Sequence, residues 1–334
     1  MSVALFLLAA GLIAYFGIKM TYVSRDLAAM TRIGEAVMGA VFIGAATSLS
    51  GLVASATAAS NGLATLAVSN SLGGIAAQTL FLVLGDLVYR KANLEFAAAS
   101  VENMMMSAQL LLLLCILLIA FTIPSINLAS VHPASLVLIV TYLFTVKMLV
   151  DTHQKPMWLP RMSPGTIQET KQRASTEVSS SKHWLVMSFF GCAFMVGFAG
   201  WLITSAGMEL VERGEMSSSV VGGIFIAIST SLPELVIAIT AIRAGALTLA
   251  VGDIVGGNAF DTLFVAVSDI FYREGSIFTA ITDQEQLWLG TAMSMNALLL
   301  LGLLYRERKG IANIGVESAA ILLVYFATVL YLCL

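Results

Sequence analysis

Three carboxylates stand inside long apolar runs of this chain. Glu234 closes the string Ser229-Thr230-Ser231-Leu232-Pro233-Glu234, and Asp253 and Asp261 lie in Gly252-Asp253-Ile254-Val255-Gly256-Gly257-Asn258-Ala259-Phe260-Asp261. A charged side chain in mid-membrane costs on the order of a few kcal/mol, so each must face a cavity, a cation or a partner. Pro233 removes a backbone donor and the Ser229 to Ser231 hydroxyls can bond freed carbonyls, so the helix is expected to break here beside Glu234. Carboxylate, hydroxyl and carbonyl oxygens are ligands for a hard cation such as Ca2+ or Na+. Asp261 follows Glu234 by 27 residues, near the middle of the next apolar run, and can face it. Asp253, two turns earlier, reads equally as a capping or wetted group and as an accessory ligand.

The elements that hold these groups are membrane helices. Of 334 residues, 58% are hydrophobic and 11% charged, with a mean hydropathy of +0.91, far from the roughly one-quarter charged of soluble domains. Such a chain is a multi-pass membrane protein, its surroundings are the lipid bilayer, and nucleic-acid binding has no support. With about 20 residues per span, ten helices fit the sequence: 2–20, 33–60, 63–88, 104–122, 133–151, 184–206, 218–242, 246–271, 286–305 and 313–333. No Lys or Arg precedes the first run, so an uncleaved first helix with its N-terminus outside is expected. That orientation puts 15 of the 17 basic residues on the cytoplasmic side, leaving Arg213 and Arg273 outside, and both termini outside. The membrane expected is the plasma (inner) membrane, with the protein a monomer or loose oligomer.

Residues 40–90 recur without a gap at 223–273, with 23 of 51 positions identical at a constant offset of 183. The copies fall on expected helices 2 and 3 and then 7 and 8. A shift of five spans is odd, so the second copy is inverted, and inverted repeats build a substrate site near the midplane where they meet. The expected fold is therefore all-α, two inverted five-helix repeats over 1–151 and 184–334, joined by a cytoplasmic linker at 152–183 that reads as a plain tether.

Other polar groups read as structural. Asp86 and Asp269 each precede an arginine by four residues, Arg90 and Arg273, the spacing of helix-end ion pairs. Glu209, Glu212, Glu215, Glu274, Asp283 and Glu285 read as a solvated outer face. His132, His153 and His183 lie outside the duplicated segments and are not read as a proton relay. Gly73-Gly74 and Gly256-Gly257 allow close helix approach. Cys115, Cys192 and Cys333 have no metal or disulfide spacing and read as small packing residues. No resident cofactor and no bond-making catalysis are expected.

The string Ser229-Thr230-Ser231-Leu232-Pro233-Glu234-Leu235, followed by Gly252 to Asp261, resembles the second alpha repeat of the cation/calcium antiporter superfamily, in particular sodium/calcium exchanger-like proteins. The resemblance implies an alternating-access antiporter that moves Ca2+ against Na+ or protons, these cations being bound only in transit. It makes Glu234 and Asp261 the metal carboxylates, with Thr230, Ser231, Asn258 and the carbonyl of Ala227 around the ions. The first repeat departs from the family pattern. Ser50-Gly51 replaces Pro-Glu, Gln78 stands opposite Asp261, Ile75 opposite Asn258, and Gly74 and Gly257 take places where the family often has Ser. Thr47, Ser48, Gln78 and carbonyls survive there as neutral ligands. Two carboxylates neutralise one divalent ion but supply fewer oxygens than Ca2+ takes. Losing a carboxylate and two hydroxyls weakens multiple-sodium binding more than a proton cycle, because a buried carboxyl can itself take a proton. The sequence thus favours cation/proton exchange or an altered sodium stoichiometry, and Gly51→Glu is expected to strengthen Ca2+ binding. Antiport of Mg2+, Na+ or K+, and a transport-inactive sensor or assembly partner, remain alternatives.

Overall fold

The computed structural model describes residues 2–29, 44–89, 91–123, 131–154, 158, 182–213, 216–308 and 315–334. The start of the expected second span, Arg90, and nearly all of the 152–183 linker lie outside the described residues. The helices are α1 (Ser2–Ala29), α2 (Gly44–Thr47), α3 (Leu49–Ser60), α4 (Ala64–Val88), α5 (Leu94–Ala97), α6 (Val101–Thr122) and α7 (Pro133–Gln154). After the linker follow α8 (Lys182–Glu212), α9 (Ser218–Thr230), α10 (Leu232–Arg243), α11 (Leu247–Phe271), α12 (Asp283–Tyr305) and α13 (Val316–Cys333).

Among the described residues, eight helices are long and apolar enough to cross a membrane, and α9 with α10 makes a ninth span bent by 44°. The second expected span is described only from Gly44 onward, as α2 and α3. The sixth helix runs for 31 residues, longer than the expected 184–206. At 1.5 Å per residue that is about 46 Å, which reaches from the hydrocarbon core into both headgroup layers.

The offset of 183 extends through the whole fold. Helices α4 and α11, both 25 residues long, begin and end at positions 183 residues apart. The turns before them share a left-handed glycine, Gly62 at φ +77° and Gly245 at φ +82°, where a side chain would be strained. They also share a bond across the helix end, Leu63 N–H to Ala58 O at 3.0 Å and Ala246 N–H to Ala241 O at 2.9 Å. The duplicated helices form the centre: 78% of the apolar window is buried in α4 and α11, against 22% in α1. Helices α1 and α8 pack on each other and cross to the opposite repeat. Gly17 of α1 lets Pro233 approach and Gly200 of α8 lets Ser50 approach, a symmetric pair of contacts at the two helix breaks.

Two structural readings of the sequence change. Asp269 does not pair with Arg273. Its Oδ2 accepts from the His132 backbone N–H at 2.7 Å and the Ser135 hydroxyl at 2.8 Å, and its Oδ1 from the Ile277 N–H at 3.4 Å. In the other half Asp86 likewise accepts backbone donors, Leu94 N–H at 2.8 Å and Gly315 N–H at 3.1 Å, while its expected partner Arg90 lies outside the described residues. Residues 132 and 315, like 269 and 86, are 183 apart. Each aspartate ties its repeat to the last helix of the other, and orphan N–H donors at a buried helix start are stronger claims on a carboxylate than a surface arginine. Glu285 is not solvated. It is fully buried, accepts from Ser69 at 2.7 Å and from Ser219, and closes a capping box with Thr282, because it opens α12 where free N–H groups need an acceptor.

Candidate cation site

The site forms where the two helix breaks meet. At Ser231 the backbone leaves the helix (φ −94°, ψ 6°) and Pro233 enters the first turn of α10, so Glu234 projects from a fresh helix start. Ser48 makes the matching break between α2 and α3 (φ −69°, ψ −3°), without the proline. In its place Ser50 donates across the interface to the Thr230 carbonyl at 3.0 Å. Both breaks face α4 and α11, which carry Gln78 and Asp261.

These elements meet at a tight polar cavity, without room for a free water molecule, lined by Ser48, Gly51, Asn70, Gly74, Gln78, Thr230, Ser231, Glu234, Asp261 and Phe264. Gln78 and Asp261 are themselves counterparts 183 residues apart. They touch across the pseudo-axis, Gln78 Nε2 donating to Asp261 Oδ2 at 2.7 Å and to Ser231 Oγ at 3.2 Å. Ser71 donates to the Asp261 carbonyl at 2.7 Å. Glu234 is 0% and Asp261 2% exposed. Neither Glu234 oxygen is satisfied by a full hydrogen bond, although the Thr47 and Ser48 hydroxyls lie close enough to interact, and Ser48 also reaches Asp261. Asp261 Oδ1, Gln78 Oε1, Asn70 Oδ1 and Ser48 Oγ are likewise buried without a hydrogen-bond partner. Buried polar atoms are almost always satisfied in folded proteins. A concentration of unsatisfied oxygens around two carboxylates is the donor set of a hard cation.

Six of the ten expected site residues line the cavity or its pair of carboxylates directly: Ser48, Gln78, Thr230, Ser231, Glu234 and Asp261. Thr47 stands behind Glu234 and also donates to Gly44 O at 3.1 Å. Asn258 does not line the cavity; its Nδ2 donates to Thr79 Oγ1 at 3.0 Å, packing α11 against α4. Ala227 O does not line it either, since it accepts from the Ser231 N–H at 3.1 Å and the Thr230 hydroxyl at 3.2 Å. Asp253 is completely buried, with no donor to either oxygen, and lies outside the lining within electrostatic range of Glu234. Asn70, Asp253's counterpart, was not an expected ligand. Its Nδ2 donates to Gly51 O at 3.0 Å and Ser55 Oγ at 2.8 Å, which turns its own oxygen toward the cavity. The signal for it was its place in the repeat.

The first-repeat gap is filled. A Cβ at Gly51 would stand 2.6 Å from Phe264 Cε2 and 3.1 Å from its Cζ. Gly51 lines the cavity, the condition on which Gly51→Glu was expected to strengthen Ca2+ binding, but a glutamate there cannot enter without displacing the ring. Among the described residues no group of three or more carboxylate, His or Cys side chains is arranged to hold a metal ion. Both carboxylates that line the cavity, Glu234 and Asp261, belong to the second repeat, and its other lining oxygens are neutral.

Residues 1–150 and 183–334 match the family described as "Sodium/calcium exchanger protein". Among curated proteins, the "Putative antiporter CaxA" of Alkalimonas amylolytica is 26% identical over 285 residues, covering 85% of this chain and 84% of that one. Among solved structures, the sodium-calcium exchanger NCX_Mj superposes with a TM-score of 0.63 at 19% identity, covering 99% of this chain and 98% of that one. An H+/Ca2+ exchanger, CAX, superposes with a TM-score of 0.67 at 15% identity, covering 98% of this chain and 82% of that one.

Proposed function

We propose, from the premise that the chain belongs to the sodium/calcium exchanger protein family and so to the membrane cation antiporters, that it exchanges a divalent cation, Ca2+ first among candidates, for protons by alternating access. The observation that carries this reading is the one-sided cavity. Both acids, Glu234 and Asp261, come from the second repeat, while the first contributes Ser48, Asn70, Gln78 and a bare Gly51. Two negative charges balance one divalent ion or two protons. They leave no further charge for several sodium ions bound at once, and the hydroxyls that would hold them are glycines at 74 and 257.

In this reading Glu234 and Asp261 carry the cation, with the oxygens of Ser48, Asn70, Gln78, Thr230 and Ser231 completing its shell. Thr47 supports Glu234 from behind. Gln78 has a second duty: its amide donates to Asp261, so when the cation leaves, the carboxyl is not left without a donor in a dry site. The two broken helices, each free to tilt at Ser48 or Ser231, are the moving parts, opening the cavity first to one face and then to the other. The halves 1–151 and 184–334 act as the paired repeats, with 152–183 as their tether. The protein works in the plasma membrane with both termini outside, without a resident cofactor.

The test is Ca2+ flux into proteoliposomes under an imposed pH gradient and, separately, an imposed Na+ gradient, with Glu234→Gln alongside. Flux driven by pH and lost in the variant supports the assignment. Flux driven by Na+ with steep cooperativity contradicts the proton cycle.

A further inference from the structure

Glu234 and Gly51 occupy matching positions of the two repeats, as do Phe264 and Phe81. The aromatic residue is common to both copies, yet only Phe264 lines the cavity. Its ring lies where a Cβ on Gly51 would be, 2.6 Å from Cε2, and is 2% exposed. The ring is braced from behind. Phe260 meets it edge-on at 6.2 Å between centroids, and Tyr142 of α7 meets Phe260 at 5.9 Å. This chain of three rings runs from the outer helix α7 to the cavity wall and packs against the Phe264 ring on one side.

On the Glu234–Asp261 reading above, we infer that Gly51 and Phe264 together set how many cations the site holds: the ring occupies the volume of a first-repeat acid and restricts the cavity to one divalent cation. The absence of a side chain at 51 and the presence of the ring are one feature. A carboxylate at 51 requires the ring to leave, and removing the ring with Gly51 in place opens an uncharged space beside Asn70, Gly74 and Ser48. The ring also screens the cation on that side from water, which strengthens its attraction to the two remaining charges.

The experiment uses purified full-length protein in detergent and compares wild type, Gly51→Ala, Phe264→Ala, Gly51→Ala/Phe264→Ala and Gly51→Glu/Phe264→Ala. Thermal midpoint, radiolabelled Ca2+ bound per chain at saturation, and Na+ competition are read for each. Gly51→Ala is expected to lower the midpoint in wild type and to have no effect in the Phe264→Ala background. Gly51→Glu/Phe264→Ala is expected to bind Ca2+ at least tenfold more tightly than Phe264→Ala, and Na+ to compete with a Hill coefficient above that of wild type. Additive effects of Gly51→Ala and Phe264→Ala on the midpoint would overturn the coupling even if the acidic double variant does not fold. A folded acidic double variant with wild-type Ca2+ affinity and Na+ competition would overturn the assignment while leaving the Glu234–Asp261 site intact. Wild type that binds no Ca2+ at all would instead overturn that site, and this inference with it.

Discussion

Replacing Glu234 with glutamine removes half of the charge available to a cation while keeping the shape of the side chain. Glu234 is fully buried, and neither oxygen accepts a full hydrogen bond, so the change breaks no strong contact within the protein. At an effective dielectric near 20, unit charges about 4 Å apart attract by about 4 kcal/mol, and a divalent cation by about 8. Roughly half of this is offset, because the amide need not be stripped of a charged carboxylate's hydration and its oxygen still ligates. The net loss is about 3 to 4 kcal/mol, or about two to three powers of ten in Ca2+ affinity. Equilibrium binding of radiolabelled Ca2+ to the purified variant measures it, with thermal unfolding in the absence of cation as the control for folding. A folded variant whose affinity stays within a factor of about three of wild type, roughly 0.7 kcal/mol, would show that Glu234 is not a cation ligand.

Gly74→Ser should fit: its Cβ would stand 3.6 Å from Asp261 Oδ2 and 3.9 Å from Ser231 Oγ, and the added hydroxyl should make Na+ a stronger competitor in the same binding assay. Asp269→Asn should cost about 2 to 4 kcal/mol through the loss of its charged acceptor, whereas Arg273→Ala should stay within about 0.5 kcal/mol; comparing midpoints in detergent checks both, and equal effects would restore the ion pair. Glu95, on the short helix between spans, has its carboxyl pushed up to about 7 from 4.5, first by burial and then by the charges of Asp86 and Glu317, against the lowering pull of its own backbone and Ser318. Its folded form holds the proton more tightly than the unfolded chain, so the stability it contributes is full below pH about 4.5 and is lost as pH rises through about 7. The midpoint should fall across that window, and Glu95→Gln should flatten the fall.

Much of this was legible because membrane helices announce themselves by length and apolarity, and because the duplication is strong between residues 40 and 90 and their copies. The break beside Glu234 could be read from Pro233. The equivalent break at Ser48 could be read only by analogy, since Ser50 replaces the proline and bonds across to Thr230 instead. What stayed hidden depends on partners distant in sequence. Asp86 and Asp269 each bind backbone groups of the opposite repeat, and for Asp269 the arginine four residues on, Arg273, was a local decoy. Glu285 sits among acidic loop residues but is drawn inward by Ser69 and Ser219. Asn258, in the motif beside Asp261, turns to Thr79 because α11 puts that face against α4. Phe264 carried no signal at all as one apolar residue among many; its role exists only opposite a missing side chain at Gly51.

The central claim is that two second-repeat carboxylates exchange a divalent cation for protons. Its most direct test is a pH-sensitive dye trapped in proteoliposomes with no initial gradient, with Ca2+ then added outside. The lumen of wild-type vesicles is expected to turn alkaline as Ca2+ enters, with no dependence on lumenal Na+, and Glu234→Gln vesicles to show neither change. Ca2+ entry at constant lumenal pH, matched by loss of lumenal Na+, would contradict it.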